Sequence, residues 1–395
     1  MFIKFFNLIL IIVFFIQNPL YSKSKTLNDF NSHYLSNYFS GIVAYENKNN
    51  LEALKFFKSS KFLIDKHDPY LKRYIYSLVL EGKVQQAANE IKQNLGKNNS
   101  SFFEVYLILA LDSLKKKDFK KSKNYLEQSL NFINNDRFAL IIYETVKQYL
   151  YVFEENKIPK IKKNFGSLSL INQVFQRCYL KDKNTDTYFS NLINNEINKE
   201  NSRYIYFYIN YLIENNRFEE VKEITDNLDY LNSSLLISQG KKWVEEKKLY
   251  EFNKIFSCNN PTDIVSEFFF LIANIYSSQD NYEKSSFYLN ISYYLNSKFK
   301  FNLVLLAENY YLIGDYRKAK NTLDHFNKKN ELYYWFKLKK QAQIISKELN
   351  EEESLKFINK KFKKIKEPTI RMIFDIANFN KNLKRYQEAI NYYNE

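Results

Sequence analysis

Apolar residues between Phe301 and Phe326 recur at the spacing of a helix face, in two runs separated by a short polar turn. The first run places four residues at i, i+3, i+4 and i+7: Leu303, Leu306, Ala307 and Tyr310. The second run follows Gly314-Asp315-Tyr316 and continues with Ala319, Leu323 and Phe326. The pattern predicts a helical hairpin whose helices cross at Ala307 and Ala319, because only small side chains let two helices approach closely.

The same pattern recurs through the C-terminal third of the chain, and small residues keep the same positions in it. The first helices carry Ala273, Ala307, Ala342 and Ala377. The second helices carry Ser285, Ala319, Ser354 and Ala389. Both rows are spaced by 34, 35 and 35 residues. A fixed period of this length predicts a stacked array of helical hairpins, in which each hairpin buries its apolar face against its neighbours.

The period is looser in the rest of the chain. Residues 23–135 keep small residues in the expected positions, as at Ala53, Ala87 and Ser122, whereas residues 136–260 show helical periodicity with degraded positions. Residues 261–395 hold the regular repeats, and the last repeat is incomplete at Glu395. We therefore expect an all-α chain of about ten to eleven hairpins. The array has no terminal capping helix, so we expect either a truncated chain or an exposed apolar end.

The N-terminus has the pattern of a secretory signal peptide. Lys4 precedes an apolar run from Leu8 to Ile16, and Ser22 offers a small residue at a cleavage point. The run is too short for a spanning helix of about 20 residues. We expect residues 1–22 to be removed on export to the periplasm. The alternative is an uncleaved anchor in the inner membrane.

The two cysteines, Cys178 and Cys258, stand 80 residues apart. A cysteine pair in an exported protein suggests a disulfide. In a solenoid, however, each repeat touches only its neighbours, and residues more than two repeats apart should exceed the roughly 7 Å between Cα atoms that a disulfide can bridge. We therefore expect two buried free thiols, and a Cys178–Cys258 disulfide is not expected.

Composition changes this picture little. The chain has 33 Tyr and 35 Phe but only 6 Gly and 5 Pro, which favours helices over turn-rich β structure. The net charge of +15 raises the question of nucleic-acid binding. The abundance of Lys, Asn, Ile, Phe and Tyr is typical of AT-rich coding sequence, so a nucleic-acid partner is not expected. Two lysine clusters, at 115–123 and 360–366, leave an anionic membrane surface as an alternative partner.

No catalytic or cofactor motif is present in the sequence. It contains no H-E-x-x-H, no paired C-x-x-C, no P-loop and no G-x-G-x-x-G fingerprint, and its three histidines are scattered. We expect no cofactor, no metal and no enzymatic activity.

The in-phase hairpins resemble the tetratricopeptide repeat superfamily, whose pattern is W-x2-L-G-x2-Y…A-x3-F…P. The likeness is clearest from Ser266 to Asn327. With the signal peptide, the chain resembles exported multi-repeat proteins of Gram-negative bacteria, which tend to be longer. It departs from the pattern where Leu, Phe or Ile replaces the Trp and where Pro is missing at most repeat ends. The resemblance implies a right-handed superhelix with a concave groove that binds a protein or peptide.

The resemblance also implies which residues line that groove, because the first helix of each repeat faces it. The corresponding positions are Phe270, Asn274, Glu308, Tyr311, Gln343, Phe374 and Asn378. The four polar residues could hydrogen-bond the backbone of an extended peptide, and the three aromatic residues could anchor its apolar side chains. The alternative is an ordinary exposed polar stripe. The sequence thus predicts a non-catalytic envelope scaffold; the other readings are a membrane-surface protein or an accessory subunit of an envelope enzyme.

Overall fold

The computed structural model describes residues 32–96, 101–160, 163–194, 203–229 and 233–395. The predicted signal peptide, residues 1–22, lies outside these ranges. In these ranges the regular secondary structure is helical, and there is no β-strand. The predicted all-α class is therefore confirmed.

The helices follow one another in pairs. The N-terminal part contains α1 Ser32–Glu46, α2 Asn50–Ser59, α3 Asp68–Leu80, α4 Val84–Asn94, α5 Phe103–Lys115 and α6 Phe119–Ser129. The middle contains α7 Arg137–Glu155, α8 Ser167–Leu180, α9 Thr185–Ile193, α10 Arg203–Glu214, α11 Phe218–Asp226, α12 Leu235–Glu245 and α13 Tyr250–Ile255. The C-terminal part contains α14 Pro261–Ser278, α15 Tyr282–Leu295, α16 Leu303–Leu312, α17 Tyr316–Leu323, α18 Glu331–Glu348, α19 Glu351–Phe362, α20 Ile370–Asn382 and α21 Tyr386–Asn394.

These helices form ten consecutive pairs in the described residues, with the long α7 left over between α6 and α8. The turn inside a pair is repeated in detail. In nine of the ten pairs one turn residue has a positive φ, and it is glycine only at Gly82 (71°) and Gly314 (80°); the turn between α18 and α19 has none. In several pairs an Asn or Asp then caps the second helix: the side chains of Asn281 and Asp315 accept the N–H groups of Lys284 and Lys318. The polar turn seen in the sequence is thus a helix start signal.

The small residues lie where the paired helices cross, as the period predicts. Ala273, Ala307, Ala319 and Ala342 have no exposed surface. At two of the positions where serine takes the second place, Ser122 and Ser354, its hydroxyl donates to the backbone carbonyl of the small residue opposite. The Ser354 Oγ lies 2.6 Å from the Ala342 oxygen. Serine is tolerated at this crossing because its only polar group is satisfied there.

The array curls back on itself, so early and late repeats touch. Helices α3 and α4 contact α15, and α5 and α7 contact α14. Aromatic rings meet across this junction: Tyr76 stacks on Phe287 at 4.7 Å, and Phe138 lies 4.6 Å from Tyr276. One hydrophobic core therefore runs from α1 to α18, and a second, smaller core joins α18 to α21. This is not an open solenoid with contacts between neighbours alone.

The curling overturns the expectation for the cysteines. Cys178 and Cys258 form a disulfide with their Cα atoms 5.7 Å apart, and both residues are buried. Helix α8 contacts α14, and Phe175 of α8 packs against Phe256, just after α13, at a ring distance of 5.8 Å. The expectation of free thiols was wrong because it assumed contacts between neighbouring repeats alone, whereas α8 also contacts α14, six helices further along the chain.

Candidate functional site

A cavity of about 400 Å³ lies against the first helices of two C-terminal repeats. Phe270 and Asn274 of α14 and Val304 and Glu308 of α16 line it. We call this cavity the groove. It brings together three of the seven residues that the sequence predicted for a binding surface: Phe270, Asn274 and Glu308. Asn274 is exposed there, while Phe270 and Glu308 are partly covered.

The facing wall of the groove comes from the degenerate middle of the chain. Leu235 and Leu236 at the start of α12 line the groove together with Arg203, the first residue of α10. Phe301 and Tyr333 complete the lining on the C-terminal side. The walls are therefore mainly apolar, which is usual for a site that holds a peptide side chain.

Arg203 is held in a fixed position at the groove. Its Nε and Nη2 donate to the two carboxylate oxygens of Glu267 at 2.7 and 2.8 Å, and Nη2 also donates to Asn302. The guanidinium lies 3.9 Å from the centre of the Phe270 ring. Burial raises the pKa of the Glu267 carboxyl, and the charge and hydrogen bonds of Arg203 oppose that rise. The ion pair is bidentate and stacked, so it fixes the ring that forms part of the groove wall.

A second ion pair compensates the acidic residue of the groove. The ammonium of Lys340 lies 2.6 Å from Glu308 and 4.4 Å from the centre of the Tyr311 ring. Lys340 is itself buried. Tyr311 therefore contacts Lys340 next to the groove but does not line the groove itself. Both charged residues that line the groove, Arg203 and Glu308, already have partners of opposite charge.

The other three predicted residues do not line the groove. Gln343 is exposed on α18. Phe374 packs its half-exposed ring 5.7 Å from Tyr393, and the Asn378 side chain accepts a hydrogen bond from the same tyrosine at 2.7 Å. These residues belong to the smaller C-terminal unit with its own core. The predicted polar row is therefore split, although its period is regular.

The sequence pattern missed Arg203, Leu235 and Leu236. They come from α10 and α12, where the repeat positions are degraded and no spacing marks an inward-facing residue. One signal was available for Arg203, since it is an arginine that opens an aromatic run, Tyr204-Ile205-Tyr206-Phe207, in a chain whose basic residues are mostly lysine.

No metal site or membrane span is found in the described part of the chain. It holds no group of three or more His, Cys, Asp or Glu side chains that could bind a metal ion. Over the same residues, no helix combines the length and the hydropathy needed to cross a bilayer.

Comparisons with known proteins give a family-model match over a short segment and a distant likeness to solved structures. A family model described as tetratricopeptide repeat matches residues 370–395, which include α20 and α21. No curated protein matches the sequence significantly. Among solved structures, yeast Tom70 shares 13% identity over 91% of this chain and 84% of its own, with a TM-score of 0.26. A monomeric mutant of IFIT1 with Gppp-AAAA shares 13% identity over 91% and 88%, with a TM-score of 0.23.

The TM-scores are too low for either structure to say anything about function. The matched repeat is the last of four that keep the 34–35-residue period. All four are helical hairpins that cross at buried small residues. The family model thus matches one repeat, residues 370–395, and the other three repeats share its period and its helical-hairpin structure.

Proposed function

We propose that this protein is a non-catalytic scaffold that binds an extended segment of a partner protein in the groove between α12, α14 and α16. The observation that carries the proposal is the groove itself, a cavity of about 400 Å³ with apolar walls and the exposed amide of Asn274 at its side. An amide can donate to and accept from a peptide backbone, while the apolar walls take its side chains.

The charges at the groove indicate what kind of segment it takes. Arg203 is paired with Glu267, and Glu308 is paired with Lys340, so no uncompensated charge lines the cavity. A charged ligand would have to compete with these pairs. An apolar or aromatic side chain would instead displace water from Phe270 and Leu236, which is favourable by about 25 cal/mol per Å² of buried apolar surface. The groove fits an uncharged, apolar stretch of peptide.

Two features support an exported scaffold in the bacterial envelope. The N-terminal pattern is that of a signal peptide, and the Cys178–Cys258 bond belongs to an oxidising compartment, since cytosolic thiols are kept reduced. Expression with the native N-terminus tests this directly. We expect periplasmic protein whose mass corresponds to loss of residues 1–22; retention of the full mass with membrane fractionation would favour the anchored alternative.

The membrane-surface alternative depends on the two lysine clusters. In the first cluster the Lys115 ammonium lies 3.7 Å from the centre of the Tyr294 ring, and Lys116 pairs with Asp112 at 2.7 Å. Both clusters are nevertheless largely exposed. Sedimentation with anionic liposomes decides between the scaffold and the membrane-surface protein, because a membrane-surface protein would bind the liposomes in a salt-dependent way.

A displayed peptide library tests the groove. We expect the immobilised protein to enrich peptides with apolar and aromatic side chains. Asn274→Trp fills the groove and should abolish that enrichment. Asn321→Trp places the same bulk on an exposed position of α17, outside the groove, and should leave it unchanged. Equal retention of the selected peptides by both variants would refute the groove as the binding site.

A further inference from the structure

A second cavity, of about 460 Å³, lies where the first repeats meet helices α14 to α17. Three hairpin turns supply its walls: Lys48 from the turn between α1 and α2, Asp280 from that between α14 and α15, and Asp315 from that between α16 and α17. Leu80 at the end of α3 joins them. We call it the seam cavity. It shares no lining residue with the groove.

Direct contacts across the junction hold these walls in place. Lys48 pairs with Glu283 at 2.8 Å, and Lys318 pairs with Glu81 at 2.6 Å. The Tyr310 hydroxyl donates to the backbone oxygen of Leu80 at 3.2 Å. The cavity is therefore bounded by residues of the first repeats and of α14 to α17 that are already fixed against each other, which is the preorganisation a binding site needs.

Two buried polar side chains at this cavity lack partners. Asn50 and Ser286 line it and are 8% and 1% exposed. The Asn50 Oδ1 and the Ser286 Oγ have no hydrogen-bond partner among the described residues. Leaving such groups unsatisfied is unfavourable, and native proteins rarely do so. An amide oxygen can only accept, so the missing partner of Asn50 is a hydrogen-bond donor.

The charges that line the cavity also favour a ligand that donates hydrogen bonds. Its lining contains three carboxylates, on Asp280, Glu283 and Asp315, against the ammonium groups of Lys48 and Lys318. Both lysines are engaged, by Glu283 and by Glu81. That leaves Asp280, which accepts from the Tyr282 hydroxyl at 2.5 Å, a bond that does not neutralise its charge. Asp315 caps the backbone N–H of Lys318 at 3.0 Å and lies 4.0 Å from the Lys318 ammonium, which Glu81 holds more closely at 2.6 Å. The aromatic rings of Tyr45 and Tyr282 also line the cavity, and such rings attract cations.

We propose that the seam cavity binds an organic cation rich in N–H donors, a guanidinium or primary amine, either as a free small molecule or as the basic side chain of a peptide. The cation would lie between Asp280 and Asp315 and donate to the Asn50 Oδ1 and the Ser286 Oγ. This site goes beyond the peptide groove, and neither depends on the other.

Calorimetry on the full chain tests the proposal with two pairs of probes. The first pair is agmatine and its urea analogue, which lacks the charge. The second is the blocked pentapeptide Ala-Ala-Arg-Ala-Ala and its citrulline twin. We expect saturable binding of at least one charged probe, at least about tenfold weaker binding of its neutral twin, and no change in the Asn274→Trp variant. Tighter agmatine binding identifies a small molecule as the ligand, and tighter peptide binding identifies a partner's side chain.

Matched variants assign the binding to the seam cavity. Asp280→Asn should weaken it by roughly tenfold while keeping the turn, because asparagine accepts the left-handed φ of 58° at this position. Ser286→Ala should weaken it without lowering the melting temperature, since it removes an unsatisfied hydroxyl. Asp324→Asn removes one charge at the other end of α17 and should have no effect. The proposal is overturned by no saturable binding up to about 10 mM, by equal binding of the neutral twins, or by equal effects of Asp280→Asn and Asp324→Asn.

Discussion

Removing the disulfide should destabilise the middle of the array more than its C-terminal end. The bond joins Cys178 to Cys258 and closes a loop of 80 residues that contains α9 to α13. In the chain-entropy model, closing a loop of this length stabilises the folded state by about 4.5 kcal/mol at 25 °C. The double variant Cys178→Ala/Cys258→Ala should therefore lose about 2–5 kcal/mol, the range seen when native disulfides are removed.

The two tryptophans allow that loss to be located. Trp243 lies in α12, inside the closed loop, and packs against Phe252 at 5.3 Å. Trp335 lies in α18 and belongs to the second core, where its Nε1 donates to Asp375 at 2.8 Å. Urea unfolding followed by fluorescence reports each region separately when the other tryptophan is replaced by phenylalanine. We expect a large shift of the Trp243 transition and a smaller shift of the Trp335 transition.

Two results would refute this reasoning. If the free energy of unfolding of the double variant lies within about 1 kcal/mol of that of the oxidised protein, closing the loop does not stabilise the folded state as the entropy model requires. If both transitions shift equally, the array unfolds as one cooperative unit and the separation into two cores has no energetic meaning. Reduction of the wild-type protein by dithiothreitol serves as the control, because it opens the same loop without any substitution.

Three further substitutions test the packing. Ala307→Leu should cost about 1–3 kcal/mol by overpacking the crossing of α16 and α17. The exposed control Asn321→Leu should stay within about 0.5 kcal/mol in urea titrations. Arg203→Met should cost about 3–5 kcal/mol because it leaves the buried Glu267 unpaired, and adding Glu267→Gln should recover much of that loss in thermal unfolding. Asp112→Asn should cost about 2–3 kcal/mol at neutral pH and flatten the acid branch of a stability–pH curve.

The sign of the Asp112 effect follows from its surroundings. Burial alone would raise the pKa of this carboxyl, but hydrogen bonds from Lys116, Lys92, Tyr294 and Gln85 outweigh burial and hold the pKa well below its usual range. The stabilisation is therefore complete above the unfolded value of about 3.9 and is lost as the pH falls through the lower folded value. Wild-type stability should fall more steeply below about pH 4 than that of Asp112→Asn. Parallel curves would contradict this assignment.

The candidate groove shows which site residues the repeat period of the sequence can predict and which it cannot. Phe270, Asn274 and Glu308 could be predicted to share a face, because their positions relative to Ala273 and Ala307 repeat with the helices. The position of Arg203 could not be predicted. It depends on α10 meeting α14 through the Glu267 pair, and no repeat of the sequence encodes that meeting. The period predicts which way a side chain faces within its repeat, but not how the stack of repeats curves. Gln343, Phe374 and Asn378 therefore keep the period although they lie outside the groove.

The sequence by itself determined the repeating unit: helices from the apolar spacing, turns capped by residues such as Asn281 and Asp315, and crossings at Ala307 and Ser354. These features depend on residues within about 35 positions of one another, where local sterics and hydrogen bonds decide the outcome. Only the tertiary structure decided that α3 meets α15, that Cys178 meets Cys258, and that a cavity remains at the junction. Small rotations between successive hairpins accumulate along the array, and their sum, which no single repeat specifies, brings distant surfaces together.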